Sequence, residues 1–197
     1  MRTFLTRSSG PLRLLAVVAV LAVGGVSVAQ AAVVSYMANL DGASESPPNA
    51  SAGTGFAQVD IDDVAHTMHI VAAFSGLTGT ATAAHIHAAT LVAGAGTAGV
   101  ATTTPSFAIF PLGVTAGTYE DTLDMTQASS YNPSYVTAHG GTTAGAEAAL
   151  FQSIADGKAY FNIHSTFATG GEIRGFLTPN TVPADRTSWG GTKSLYR

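Results

Sequence analysis

Turn-forming residues cut this chain into short pieces. Twenty-two glycines and eight prolines punctuate its 197 residues. Between them, apolar residues alternate with polar or small ones at a period of two. Strands give that pattern, because their successive side chains point to opposite faces. Segments 33–40, 55–61, 67–74, 80–87, 158–165 and 172–178 all read as strands. Asp62 and Asp63 turn the second of these back as a hairpin with the third. The last two are joined by Ala168-Thr169-Gly170-Gly171, whose glycines suit a hairpin that needs positive φ. Gly175, inside a strand, marks a bulge or a close backbone approach. Residues 100–110 are expected to add a strand or two, broken at Pro105, and 115–122 one more. Stretch 124–141 is irregular, with Asn132-Pro133 as a breaker. One segment differs: Ala144, Ala146, Glu147, Ala148 and Ala149 favour helix, Leu150, Phe151 and Ile154 form its apolar stripe, and Gly157 stops it. Many short strands and little helix predict an all-β fold, an antiparallel sandwich or Greek-key barrel with one short helix near 142–156.

Three parts of unequal character make up the chain. Residues 1–31 read as a secretory signal peptide: Arg2, Arg7 and Arg13 precede the uncharged apolar run 14–28, and Ala29-Gln30-Ala31 is a small-x-small cleavage site. The apolar run is short for a bilayer span, so no membrane span is expected once the leader is removed. No twin-arginine pair precedes it, which favours export of the unfolded chain. The expected address is secreted or extracytoplasmic: periplasm, cell surface or medium. Residues 32–178 are the folded domain. Residues 179–197, with Pro183, a lone Trp189, Gly190-Gly191 and three basic residues, read as a flexible C-terminal tail or a sorting tag.

Charge and cysteine usage exclude several classes. Three of the eight basic residues lie in the leader, which leaves five against twelve acidic ones. No basic face is available for nucleic acid. With no cysteine, disulfides, thiolate metal sites and cysteine nucleophiles are ruled out. Any metal must be held by His, Asp, Glu or backbone oxygen. No Gly-x-Ser-x-Gly elbow, P-loop or His-Glu-x-x-His is present, so hydrolysis finds no support. The Asp60/Asp62/Asp63 and Glu120/Asp121/Asp124 groups lack a calcium-loop pattern.

The chemistry concentrates in histidines. His85 and His87 stand two apart in a strand and share a face; Asn162 and His164 do the same in a distant strand. If the two strands pack together, three imidazoles meet. They would then hold copper or zinc with one position open, with Asn162 or Glu172 orienting a ring. The alternative is that the same rings only make polar contacts within the fold. Glu172 and Arg174, also two apart, form either an anion-binding or catalytic pair or structural contacts, bonded to each other or elsewhere. His66 reads as a turn residue, His69 as a strand residue and His139 as a loop residue.

The order of the landmarks adds a resemblance. Glu45-Ser46-Pro47-Pro48 comes first. Phe74-Ser75-Gly76-Leu77-Thr78-Gly79 then leads into Ala84-His85-Ile86-His87. Finally the run 157–165, Gly-Lys-Ala-Tyr-Phe-Asn-Ile-His-Ser, leads into Gly171-Glu172-Ile173-Arg174-Gly175. Over roughly 35–178 this resembles the CHRD domain, named after chordin and found singly in many bacterial exported proteins. Ala88, Ser165, Phe161 and Phe176 depart from the family's usual residues but keep the strand pattern. The resemblance implies a sandwich of superoxide-dismutase-like or immunoglobulin-like architecture and an extracellular role without established catalysis. The partner it implies is a protein, a matrix component or another copy of the chain. The His-x-His strand also looks like the copper strand of copper/zinc superoxide dismutases. However, the loop 88–99 carries no His, Asp or Glu, so a bimetallic dismutase is not expected. Two readings follow: a non-enzymatic binding or structural module, or a mononuclear copper or zinc protein with weak redox chemistry.

Overall fold

The computed structural model describes residues 33–180. The expected leader and most of the expected tail lie outside them. Eight strands form one sheet: β1 (Val34–Asp41), β2 (Thr54–Asp62), β3 (Thr67–Ser75), β4 (Ala81–His87), β5 (Gly117–Asp124), β6 (Tyr160–Ser165), β7 (Ile173–Phe176) and β8 (Thr178–Pro179). Their order is β4-β6-β7-β1-β2-β3-β5, with β8 paired to β1. Every pairing is antiparallel, and the sheet curls into a half-barrel. The all-β expectation therefore holds, as do both hairpins. Thr178 pairs with Met37 and Pro179 with Tyr36, and the Asn180 N–H donates to the Ser35 carbonyl. The sheet thus includes Pro179, which the sequence reading assigned to the tail.

Alternation decides which face is filled. Tyr36, Ala38 and Leu40 of β1, Ala57, Val59 and Ile61 of β2, and Met68, Ile70, Ala72 and Phe74 of β3 point to the core. Ala84 and Ile86, Phe161 and Ile163, and Ile173 extend the same face across β4, β6 and β7. Gly175 sits opposite Phe161. A Cβ there would run into the Asn39 carbonyl of β1, so the backbones approach closely at this point, as the isolated glycine predicted.

The helix expected near 142–156 is present, and a second, shorter one lies in the stretch 124–141 that reads as irregular. The described residues hold two helices, α1 (Pro133–Ala138) and α2 (Thr143–Ala155), preceded by a 3-10 turn at Ala128–Ser130. Asn132-Pro133 opens α1. The Asn132 side chain accepts from the Ser134 N–H at 3.1 Å and Pro133 takes the first helical position, where its missing N–H costs nothing. On α2 the buried stripe is Ala146, Leu150 and Ile154, spaced by four, and Phe151 is only half-buried. The expected strands within 100–110 are absent. That segment runs beside β4 and bonds to it irregularly: the Ala101 and Phe107 N–H groups donate to Ile86 and Ala84 carbonyls. The β4 N–H groups of Ile86 and Ala84 donate instead to the Thr102 and Ser106 hydroxyls. Side chains thus replace half of a ladder. No helix among the described residues is long and apolar enough to cross a membrane.

Candidate metal centre

The antiparallel pairing of β4 with β6 sets Ala83 opposite His164, His85 opposite Asn162 and His87 opposite Tyr160. All five polar or aromatic side chains therefore project from the face opposite the core. Loops roof that face, so β6 is buried on both sides. His85 is 6% exposed and His87 7%. The three rings converge: His85 and His164 centroids lie 5.1 Å apart, His87 and His164 5.6 Å. One nitrogen from each ring lies within 4.8 Å of the other two.

Backbone carbonyls fix which nitrogen each ring offers. His85 donates from Nε2 to the Pro105 carbonyl at 2.7 Å. His87 donates from Nδ1 to Ala98 at 2.9 Å, and His164 from Nδ1 to Thr169 at 2.9 Å. A neutral imidazole has one N–H and one lone pair. The lone pairs are thus on Nδ1 of His85 and on Nε2 of His87 and His164. The last two atoms face each other at 3.4 Å with no proton to share between them. Nδ1 of His85 is buried and has no hydrogen-bond partner. Burial drives the rings neutral: it lowers His85 and His87 to about 4 and holds His164 below the ordinary histidine value. Three lone pairs without donors, two on buried rings and the third on the half-buried His164, suit a cation of the zinc or copper type.

Neighbouring residues hold the rings in place. Tyr160 stacks on His87 at 4.8 Å between centroids and donates its hydroxyl to the Ala98 carbonyl. Arg174 lies over the Tyr160 ring at 4.6 Å and donates to the Gly96 and Ser44 carbonyls. The loop 88–100 therefore contributes carbonyls rather than ligands. Arg174 also pairs with Glu45 at 3.7 Å. Burial raises the Glu45 carboxyl to about 7, against the opposing pull of Arg174. Gly171, at φ +134, borders the same space: a Cβ there would meet the Asn162 amide and Oε1 of Glu45.

The remaining expected site residues stand as follows. Asn162 is buried on the face of the rings, but its Oδ1 has no hydrogen-bond partner. The ring N–H groups go to carbonyls instead, so Asn162 and Glu172 do not orient them. Glu172 does not pair with Arg174. Its carboxylate accepts from Ser51 and Ser165 hydroxyls and from the Thr78 and Gly79 N–H groups. Burial pushes that carboxyl up, but these four donors outweigh it and hold it below its ordinary value. It ties three loops together. His66 occupies a turn at φ 55 and pairs with Glu147 of α2 at 2.9 Å. His69 is a strand residue beside Glu120, and His139 caps α1 through the Tyr135 carbonyl. Asp62 and Asp124 accept from N–H groups of their own turns.

Sequence reasoning passed over Tyr160 and Glu45. Tyr160 was within reach, since it lies two before Asn162 and four before His164 on one face. Arg174 is the only arginine among the described residues, and a buried guanidinium needs an acidic partner. Nothing local identified Glu45, 129 positions earlier, as that partner.

Among curated proteins and among solved structures, none matches the chain. The family model of the CHRD domain matches residues 36–177, a span that contains every strand from Tyr36 through β7 and all three converging histidines. By that match, the chain belongs to the CHRD domain family.

Proposed function

We propose that this CHRD domain is an exported, non-enzymatic binding module that holds one copper or zinc ion on Nδ1 of His85, Nε2 of His87 and Nε2 of His164. One observation carries the reading. Carbonyls take one nitrogen of each ring, which leaves one lone pair per ring, and a nitrogen from each of the three rings lies within 4.8 Å of the other two. A purely structural histidine cluster would instead alternate donors and acceptors, and a buried nitrogen such as Nδ1 of His85 would have a partner. With three protein ligands, the ion would keep one position for a fourth. The binding-module part rests on the family, and the export part on the leader-like composition of residues 1–31.

The test is a titration of chelator-stripped protein with Zn(II) and with Cu(II), followed by calorimetry. One ion per chain is expected. His85→Ala and His164→Ala should each weaken binding at least a hundredfold. Unchanged affinity in both variants removes the reading. Export is tested separately, by N-terminal sequencing of protein recovered outside the cytoplasm, where a start near Ala32 is expected.

A further inference from the structure

We infer that the centre selects copper in its cuprous form, Cu(I), over Cu(II) and Zn(II). The inference rests on the reading of the three rings as a metal centre and deepens it. Geometry argues first. Nε2 of His87 and Nε2 of His164 are 3.4 Å apart. With metal–nitrogen bonds of about 2.0 Å, that separation subtends an angle of about 115° at the ion. Cu(II) prefers tetragonal surroundings, in which neighbouring ligands subtend about 90° and stand about 2.8 Å apart. A pair of nitrogens at the wider angle fits a trigonal shell better than a square one, and a trigonal shell suits the filled d shell of Cu(I) and needs no fourth ligand.

Charge separates Cu(I) from Zn(II), for which the angle is also acceptable. All three donors are neutral imidazoles, and among the described residues no carboxylate joins the cluster. The charged group stacked toward them is a cation: the Arg174 guanidinium lies 4.6 Å from the Tyr160 ring centre, and that ring stacks on His87. Glu45 balances Arg174 at 3.7 Å, so the surroundings supply no net negative charge. A dication here stays doubly charged in a pocket whose two β4 histidines are 6% and 7% exposed. Desolvation cost grows with the square of the charge, so it is about four times larger for Zn(II) than for Cu(I). Among the described residues, no side-chain anion joins the three rings to offset a second positive charge.

The test measures three dissociation constants on the full purified protein at pH 8. Cu(I) is titrated anaerobically against bicinchoninate, and Cu(II) and Zn(II) against chromophoric chelators. Cu(I) is expected to bind at least a hundredfold more tightly than either dication. Glu45→Gln, which leaves Arg174 unbalanced, should widen the Cu(I)-to-Cu(II) ratio about tenfold, a rise of about 59 mV in the one-electron potential. Zn(II) or Cu(II) binding as tightly as Cu(I) overturns the inference and leaves the metal centre standing. Failure of all three ions to bind overturns both. A ratio that narrows in Glu45→Gln overturns the charge argument.

Discussion

Acid should unfold the metal-free protein through the same rings that would hold the ion, and one buried carboxyl should oppose it. The perturbation is a pH drop from 7 to 4. His85 and His87 have native values of about 4, against an ordinary value near 6.5 in the unfolded chain. Their folded values are depressed, so the unfolded state takes up protons first. Stability is intact above about pH 6.5 and is lost as pH falls toward 4. Integrated over that window, each ring removes about 3 kcal/mol. Glu45 has the opposite sign. Its folded value of about 7 stands above the ordinary 4.5, so its contribution grows as pH falls and is lost as pH rises through 7. It returns about 3 kcal/mol by pH 4. The net loss from these three groups is therefore about 3 kcal/mol, and His164 and Glu172, both shifted down, add to it. Urea unfolding of stripped protein at half-unit pH steps measures the curve. Glu45→Gln removes the opposing group, so its loss between pH 7 and 4 should roughly double. A stability that stays flat over this range, or a Glu45→Gln curve no steeper than the parent's, would refute the assignment of buried neutral rings.

Two further outcomes test the frame around the site. Glu172→Gln replaces an anion that collects four donors with an amide whose NH2 group meets some of them head-on; a loss of about 2–4 kcal/mol in urea unfolding is expected, and a change under about 0.5 kcal/mol would show that the carboxylate does not tie those loops. Gly175→Ala drives a methyl into the Asn39 carbonyl and should cost about 2–3 kcal/mol, read as a melting temperature lower by roughly 5–10 °C; an unchanged melting temperature would mean that β7 and β1 separate there at little cost.

How legible the molecule was depends on how far apart the deciding residues lie. The strands and both hairpins could be read because period-two alternation is local, and so could the shared face of Asn162 and His164. The opening of α1 was also written locally, in Asn132-Pro133, but a pair that breaks one element and starts the next carries both meanings. Segment 100–110 misled because its strand-like composition serves a run that completes the edge of β4 half with backbone N–H groups and half with side-chain hydroxyls.

By itself, then, the sequence determined the all-β class, the pairing of neighbouring strands and which residues of each strand face together, since these follow from φ, ψ and residue type over a few positions. It also placed three histidines on strands able to meet. The tertiary structure decided that β4 lies against β6, that the rings face away from the core, and which nitrogen of each ring is left free. That last choice is made by carbonyls of Ala98, Pro105 and Thr169, all on irregular loops. An imidazole has two equivalent-looking nitrogens until a donor or acceptor from elsewhere in the chain distinguishes them, and no local pattern records where that partner will be.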